Sequence, residues 1–440
     1  MQAAGFTLKR AEARAPERGV YAASRWAINL WFLLILFAAL EKSDAANLRN
    51  VALQITRTNP AGAEISWQSK SAVPSPGLQL VPDYQLEKSV NLSNWTSVGS
   101  QLTGATNAQT LRALDSATDA FGFYRVKSIV HRPFGHFNQA NLSKGELEQA
   151  DFFGAEFFAA NLTNANFTDA DLRGTDLRFA DLTDVTANGA DLFATDLLLA
   201  TMEFAVIEHA NLSFANLEGA DMFGGSLLGS DLRSAILTGA DLRFMTLHQT
   251  LLDSHTMLDA QWMRVWQLVN GMTTTTVFTN VDLSSADLRE ADLRSMNFSG
   301  SDFSSSILNG ANLRGANFTN ANMRFVSFSG ALMDSNTVIE AKSRLAWEIV
   351  TQGAAGRDLH GTNLSSTFLA FANMQNMNLT NVNLGLAVLF QTDLRNSNLR
   401  NVNFISADLR EANLFGSVTN GANFSSATFG QTIMPDGSTQ

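Results

Sequence analysis

The 440-residue chain contains no cysteine. That removes a disulfide framework, a thiolate metal site, a cysteine nucleophile and a lipidated cysteine, and it leaves the redox compartment open. Proline is scarce, at seven residues, and tyrosine scarcer, at three. The signatures of catalysis are missing too: there is no G-x-S-x-G elbow, no phosphate-binding glycine loop and no Rossmann fingerprint. The six histidines, His131, His136, His209, His248, His255 and His360, show no paired metal-ligand spacing, and no Glu stands between two of them. Neither an enzymatic activity nor a cofactor or metal is expected.

Charge is unevenly spread. The formal net charge of −11 resolves into six basic against four acidic residues over 1–45, seven against five over 46–130, and seventeen against thirty-two over 131–440. An acidic body speaks against direct nucleic-acid binding, which needs cations on one face to neutralise phosphates. It suits a soluble surface or a basic partner.

Residues 1–45 carry Lys9, Arg10, Arg14, Arg18 and Arg25 ahead of a fifteen-residue run, Trp26 to Leu40, broken only by Asn29. This is the basic and apolar order of a secretory signal, short for a membrane span, with small residues Ser43 and Ala45 placed for cleavage after Ala45. Two outcomes stay open: cleavage and export to the periplasm, cell surface or medium, or retention as a membrane tether through 26–40.

Residues 46–130 hold short alternating segments, 51–57, 63–68, 84–89 and 123–129, parted by Asn59-Pro60-Ala61-Gly62, by 74–77 and by polar sequence. Such spacing predicts an antiparallel β-sandwich with Trp67, Trp95 and Tyr124 as core aromatics. The words Tyr84-Gln85-Leu86-Glu87-Lys88-Ser89, Asn91-Leu92-Ser93-Asn94-Trp95-Thr96 and Phe123-Tyr124-Arg125-Val126 resemble a fibronectin type III-like β-sandwich of exported bacterial proteins.

The rest is a repeat. From Leu142 to Leu252 every fifth position is Leu, Phe, Met or Ile, with Ala187 the single exception in twenty-three. The residue two before is small, as at Ala150, Ala155 and Ala160, and the one before is usually Asp or Asn. Neither a helix, with its period of 3.6, nor a strand, with its period of 2, accommodates this. A chain that turns after each A-(D/N)-(L/F)-x-x unit does, with the large and the small residue inward and the other three facing water. The pattern resembles that of pentapeptide repeat proteins, which implies an all-β, right-handed quadrilateral β-helix of four units per coil.

The phase slips twice. Repeat segments 131–252, 278–333 and 359–434 are separated by insertions 253–277 and 334–358, which align with each other at an offset of 81: Asp253 with Asp334, Thr256 with Thr337, Trp266 with Trp347. In each, Thr followed three residues later by an acid reads as a capping box. Leu258, Trp262, Val265, Trp266 and Val269 recur at helical spacing, so two short helices are expected to dock their Trp side chains on the solenoid. Pro435-Asp436-Gly437 opens a tail, 435–440. The strand edges at the ends of a solenoid invite association, and an isologous homodimer is one expectation.

With four units per coil, Asp151, Asp171, Asp191, Asn211 and Asp231 stack into an acidic stripe, a candidate surface for a protein partner. Phe153, Phe158, Phe193 and Phe223 follow inward residues directly and are expected at the surface. The reading is a non-catalytic exported or membrane-tethered scaffold. The family resemblance implies an alternative, a DNA-mimicking modulator of a type II topoisomerase, against which stand the export signal and the many arginines, Arg173, Arg233 and Arg410 among them.

Overall fold

The computed structural model describes residues 132–440 and, before them, the backbone of six strands. The candidate signal or anchor at 26–40 lies outside the described residues, as do Trp95 and His131. The six strands are β1 (Gln54–Arg57), β2 (Ala63–Gln68), β3 (Asp83–Ser89), β4 (Thr96–Leu102), β5 (Thr110–Asp115) and β6 (Phe123–Ile129). They form two three-stranded sheets of order β1-β2-β5 and β4-β3-β6. Pairing of β1 with β2, β2 with β5 and β3 with β4 is antiparallel, with Ile55 opposite Ile65 and Trp67 opposite Leu111. Two of these strands, β4 and β5, fall in sequence that reads as polar connection. Their side-chain alternation is weak, and it is the ladder with a neighbour that satisfies their backbone groups.

From residue 132 the chain coils. Away from the two insertions, units bridge the unit twenty residues on in parallel, as in Asn141↔Asn161 and Asp151↔Asp171, so four units make one turn. One unit, Ala160-Asn161-Leu162-Thr163-Asn164, shows why the period is five. The Asn161 N–H donates back to the Ala140 carbonyl at 2.8 Å, while those of Leu162 and Asn164 donate forward to Asp181 and Thr183 at 2.7 and 2.8 Å. The Ala165 N–H closes the turn on the Leu162 carbonyl at 2.9 Å. That leaves the Thr163 N–H, which points away from both neighbouring coils, and the Asn161 side-chain oxygen accepts it at 3.1 Å. Every backbone donor in the unit is thereby used, and the frequent Asp or Asn is explained as an Asx turn rather than as a surface charge.

In three units where that position holds another residue, an Asn one coil earlier takes its place, whereas in the unit of Ser226 the serine hydroxyl itself accepts the Leu228 N–H at 3.4 Å. The Phe158 N–H, in the unit of Glu156, donates to Asn138; the Glu208 N–H, in the unit of Val206, to Asn188; the Ser329 N–H, in the unit of Ser327, to Asn309, at 2.9, 2.9 and 3.0 Å. The last residue of the unit is left-handed, with φ of 58° at Asn164. Asn and Gly are common there because they tolerate this region, yet several phenylalanines share it, at about 1–2 kcal/mol each.

The inward expectation holds: Leu172, Leu192 and Leu212 are almost wholly buried, as are Ala150, Ala170 and Ala190 in the small column. Ala187, the exception in the large column, is buried as well. Phenylalanines twenty apart stack along the axis, Phe298 on Phe318 at 5.4 Å and Phe404 on Phe424 at 4.8 Å between centroids. In the small column Ser230, Ser301 and Ser397 replace Ala. Each inserts its hydroxyl into a turn of the preceding coil, as Ser230 does by accepting from the Ala210 N–H at 3.0 Å and donating to the Ile207 carbonyl at 2.6 Å.

Two helices interrupt the coils, α1 (Ala260–Val269) and α2 (Ala341–Gln352). In α1 the buried side chains are Trp262, Val265 and Leu268; Trp266 and Val269 are only partly covered. The Trp266 and Trp347 indoles donate to the Thr250 and Ala331 carbonyls at 3.0 and 2.7 Å, tying each helix to the small column beneath it. The capping-box expectation is corrected: neither Asp259 nor Glu340 caps its helix with its side chain. Thr256 and Thr337 serve the turn before the helix, donating to the Leu232 and Leu313 carbonyls and meeting Asp253 and Asp334. At the C-terminal end the tail folds back antiparallel, Ile433 against Thr439, with reciprocal bonds between Thr432 and Gln440.

Candidate interaction surface

The five residues of the acidic stripe lie in one register on one face, bridged in order from Asp151 to Asp231, and the column then meets Leu251. Its carboxylates are not free charges. Asp171 accepts both the Arg173 side chain and the Arg173 N–H, and Arg173 also lies 3.6 Å from Asp191. The Asn211 amide donates to Asp191 at 2.9 Å, and Arg233 folds onto Asp231. The Arg side chain holds Asp171 and Asp231 below the usual carboxylate range, more strongly than partial burial raises them. The same Asp-x-Arg clamp recurs at Asp176, Asp241, Asp292, Asp393 and Asp408, with the same downward shift.

Aromatic exposure is distributed differently from the expectation. Phe153 and Phe193 are exposed, but Phe158 and Phe223 are half-buried: Phe158 lies against Phe179 and Arg178, and Phe223 against Phe204, Phe244 and Arg243. The most exposed rings are instead at left-handed positions: Phe134, Phe214 and Phe371 are at least 60% exposed. Three of the left-handed rings begin an identical ladder. Phe134, Phe153 and Arg173 form the first, Phe204, Phe223 and Arg243 the second, Phe371, Phe390 and Arg410 the third. In each the two rings meet edge to face at 5.4 to 5.6 Å, and the guanidinium lies 5.2 to 6.0 Å from the second ring. The signal was in the sequence as F-x18-F-x19-R, one step short of a coil and then one coil. A coil of twenty residues predicts its second step but not its first, which joins rings nineteen apart across a corner. Gly154 and Gly224 belong to the same device, since a Cβ on either would stand 2.8 Å from the ring of Phe134 or Phe204.

The described histidines serve locally: His136 lies 2.9 Å from Glu156, and His248 meets the Arg289 carbonyl at 2.6 Å. Among the described residues no group of three His, Cys, Asp or Glu is placed to hold a metal. None of their helices is long and apolar enough to cross a membrane.

The family model described as Pentapeptide repeats matches the chain in eight copies, over residues 160–197, 188–224, 215–253, 274–295, 297–334, 358–396 and 383–418. Over those residues the solenoid is an array of pentapeptide repeats. Among solved structures, the chain resembles HetL, a pentapeptide repeat protein involved in heterocyst differentiation regulation from the cyanobacterium Nostoc sp. strain PCC 7120. The identity is 25% over 70% of this chain and 94% of that one, with a TM-score of 0.24. It resembles QnrB1, a plasmid-mediated fluoroquinolone resistance protein, at 17% identity over 39% and 85% of the two chains, with a TM-score of 0.24. A pentapeptide repeat protein from the Arabidopsis thaliana thylakoid lumen matches at 20% identity over 26% and 79%, with a TM-score of 0.19. No curated protein matches the chain.

Proposed function

We propose that the protein is a non-catalytic scaffold for protein–protein contact, exported or held at a membrane by its N-terminal segment, with residues 46–130 as a fibronectin type III-like adaptor. The observation that carries this reading is the employment of the polar groups. The Asp and Asn side chains of the repeat accept backbone N–H groups of their own units, and the acidic stripe is clamped by Arg173, Arg233 and Asn211. A general base or a nucleophile needs a group held free for chemistry; these are committed to the coil. What the solenoid offers outward is a fixed lattice of Phe, Arg and Asp with little conformational entropy left to lose on binding. The same clamping weakens the alternative of a DNA-mimicking topoisomerase modulator, since the column that would imitate phosphates is partly neutralised and ends at Leu251.

Cell fractionation and a pull-down from the envelope, using the full chain and a variant with Asp171, Asp191 and Asp231 changed to Asn, test the proposal. Recovery of the full-length protein in the envelope or medium with a reproducible partner supports it. Cytosolic residence together with altered supercoiling by a type II topoisomerase overturns it. A homodimer through the C-terminal coil, where Phe424 and Phe429 are only partly buried, is a proposal of the same kind, read by sedimentation.

A further inference from the structure

The two helical insertions divide the solenoid at two joints of the same design, and the 81-residue offset allows them to be compared atom for atom. At both joints the backbone ladder thins to a single bond among the described residues. The Phe244 N–H donates to the Ser285 carbonyl at 2.8 Å across the first joint, and the Phe325 N–H to the Ser366 carbonyl at 2.9 Å across the second. These are equivalent positions, 244 + 81 = 325 and 285 + 81 = 366. What surrounds that bond differs.

The first joint is stitched. Thr246 donates to the fully buried carboxylate of Asp287 at 2.8 Å, Arg289 clamps Asp287 and donates to Thr246 at 2.8 Å, and His248 meets the Arg289 carbonyl. The buried core passes through it unbroken, from Phe137 by way of Trp262, Val265 and Leu268 to Ala331. At the second joint the four equivalent positions are Ser327, Phe368, Ser329 and Ala370, and no bond links the two pairs. A cleft of 190 Å³ opens there instead, lined by Ser327, Phe328, Val350, Phe368, Ala370 and Phe371. The core is also divided: Trp347 belongs to the part before the joint, while Ala346, Ile349 and Ala354 belong with Leu359 to Leu414.

We infer that the second joint is a built-in hinge, at which the terminal lobe of residues 359–440 swings against residues 132–358 about the Phe325–Ser366 corner, while the first joint is held shut. In a solenoid each coil is held only by its neighbours, so the free energy of opening at one plane is the sum of the contacts crossing that plane. The first joint has a buried carboxylate, Asp287, paired with the half-exposed guanidinium of Arg289 and hydrogen-bonded to Thr246, and a continuous core across its plane. The second has one backbone bond, a side-chain contact from Arg324 to Ser366 at 3.5 Å, and a helix whose buried side chains divide between the two lobes, with only the partly buried Val350 packed against both. Opening there costs no buried charge and widens a cleft that already exists.

The absence of cysteine makes the test direct. Thr238, Thr319 and Arg400 are exposed, stand at the same corner and are 81 residues apart, so paired labels on Thr238→Cys/Thr319→Cys and on Thr319→Cys/Arg400→Cys report the two joints in equivalent geometry in the full chain. Electron–electron double resonance is expected to give one narrow distance for the first pair and a broad or two-component distribution for the second. Hydrogen exchange of the Phe325 N–H is expected to be on the order of tenfold faster than that of Phe244. Phe368→Asp/Ala370→Arg, which copies the stitch into the second joint, should narrow its distribution; Asp287→Ala/Arg289→Ala should broaden the first. Equal widths for the two pairs, with equal exchange at Phe244 and Phe325, would overturn the inference, and because that comparison needs no substitution in either joint it stands even if the joint variants fold poorly.

Discussion

Removing Asn188 tests the account of the five-residue unit at a place where that account departs from the simple repeat. The unit of Val206 has no side chain able to accept the Glu208 N–H, and Asn188, one coil earlier, supplies the oxygen at 2.9 Å. Asn188→Ala leaves that donor without a protein partner. A neutral hydrogen bond contributes roughly 0.5–1.5 kcal/mol net, and Glu208 is half-exposed, so water recovers part of the loss and about 1 kcal/mol is expected. Spread over so long a solenoid this moves the melting temperature by only ~1–2 °C. The sensitive assay is therefore hydrogen exchange at the Glu208 N–H, which should quicken by about fivefold. Val206→Asn restores an acceptor inside the unit, in the position Asn takes elsewhere in the repeat. Added to Asn188→Ala it should return the exchange rate toward that of the unaltered chain, whereas alone it should change little, giving a coupling close to the whole cost of the first substitution. Unchanged exchange in Asn188→Ala, or a double variant as labile as the single one, would refute the idea that the Asx oxygen is required by this one donor.

Other measurements probe the remaining contacts. Acid titration should erode stability as pH falls through the carboxylate range: Asp171, Asp231 and Asp408 titrate lower in the folded chain than in the unfolded one because of their Arg partners. Their contribution is complete above the unfolded pKa of about 3.9 and disappears as pH drops through the lower folded value, which circular dichroism follows. High salt should shrink it, since the arginines are largely exposed. Gly224→Ala should cost about 1–2 kcal/mol in chemical unfolding, from a left-handed backbone and a Cβ 2.8 Å from Phe204, and pairing it with Phe204→Ala should recover the part due to the clash. Ser230→Ala should be milder than a buried hydroxyl ordinarily suggests, below about 1 kcal/mol, because the Ala210 turn onto Ile207 can close directly as its neighbours do.

Much of the solenoid was legible from spacing. Once Leu, Phe, Met and Ile return every fifth residue, only a coil that turns after each unit keeps them all dry, so the inward columns, the three repeat segments and the helical periodicity between them follow from apolar pattern alone. The role of Asp and Asn was not legible, because a recurrent carboxylate on an outward position looks the same in sequence whether it is solvated or accepts a backbone N–H; only the folded unit shows a donor with nowhere else to go. The capping box failed for a similar reason. Thr256 and Thr337 stand at the right distance from Asp259 and Glu340, but the helices begin only after Asp259 and Glu340, so each Thr lies in the preceding turn, where its hydroxyl accepts from the Asp253 or Asp334 N–H and donates to the Leu232 or Leu313 carbonyl of the coil beneath. The Phe–Phe–Arg ladders join residues nineteen and twenty apart, and the Thr246–Asp287 stitch joins residues forty-one apart. Such pairs become neighbours only when the coil length is fixed and the inserted helix has displaced one side of it. The sequence by itself therefore determined which side chains face the axis, since that is a matter of period. The tertiary structure decided what holds the coils at their edges, why the surface rings stand in left-handed turns, and which of two matching joints is stitched, since each of these depends on what the neighbouring coil presents.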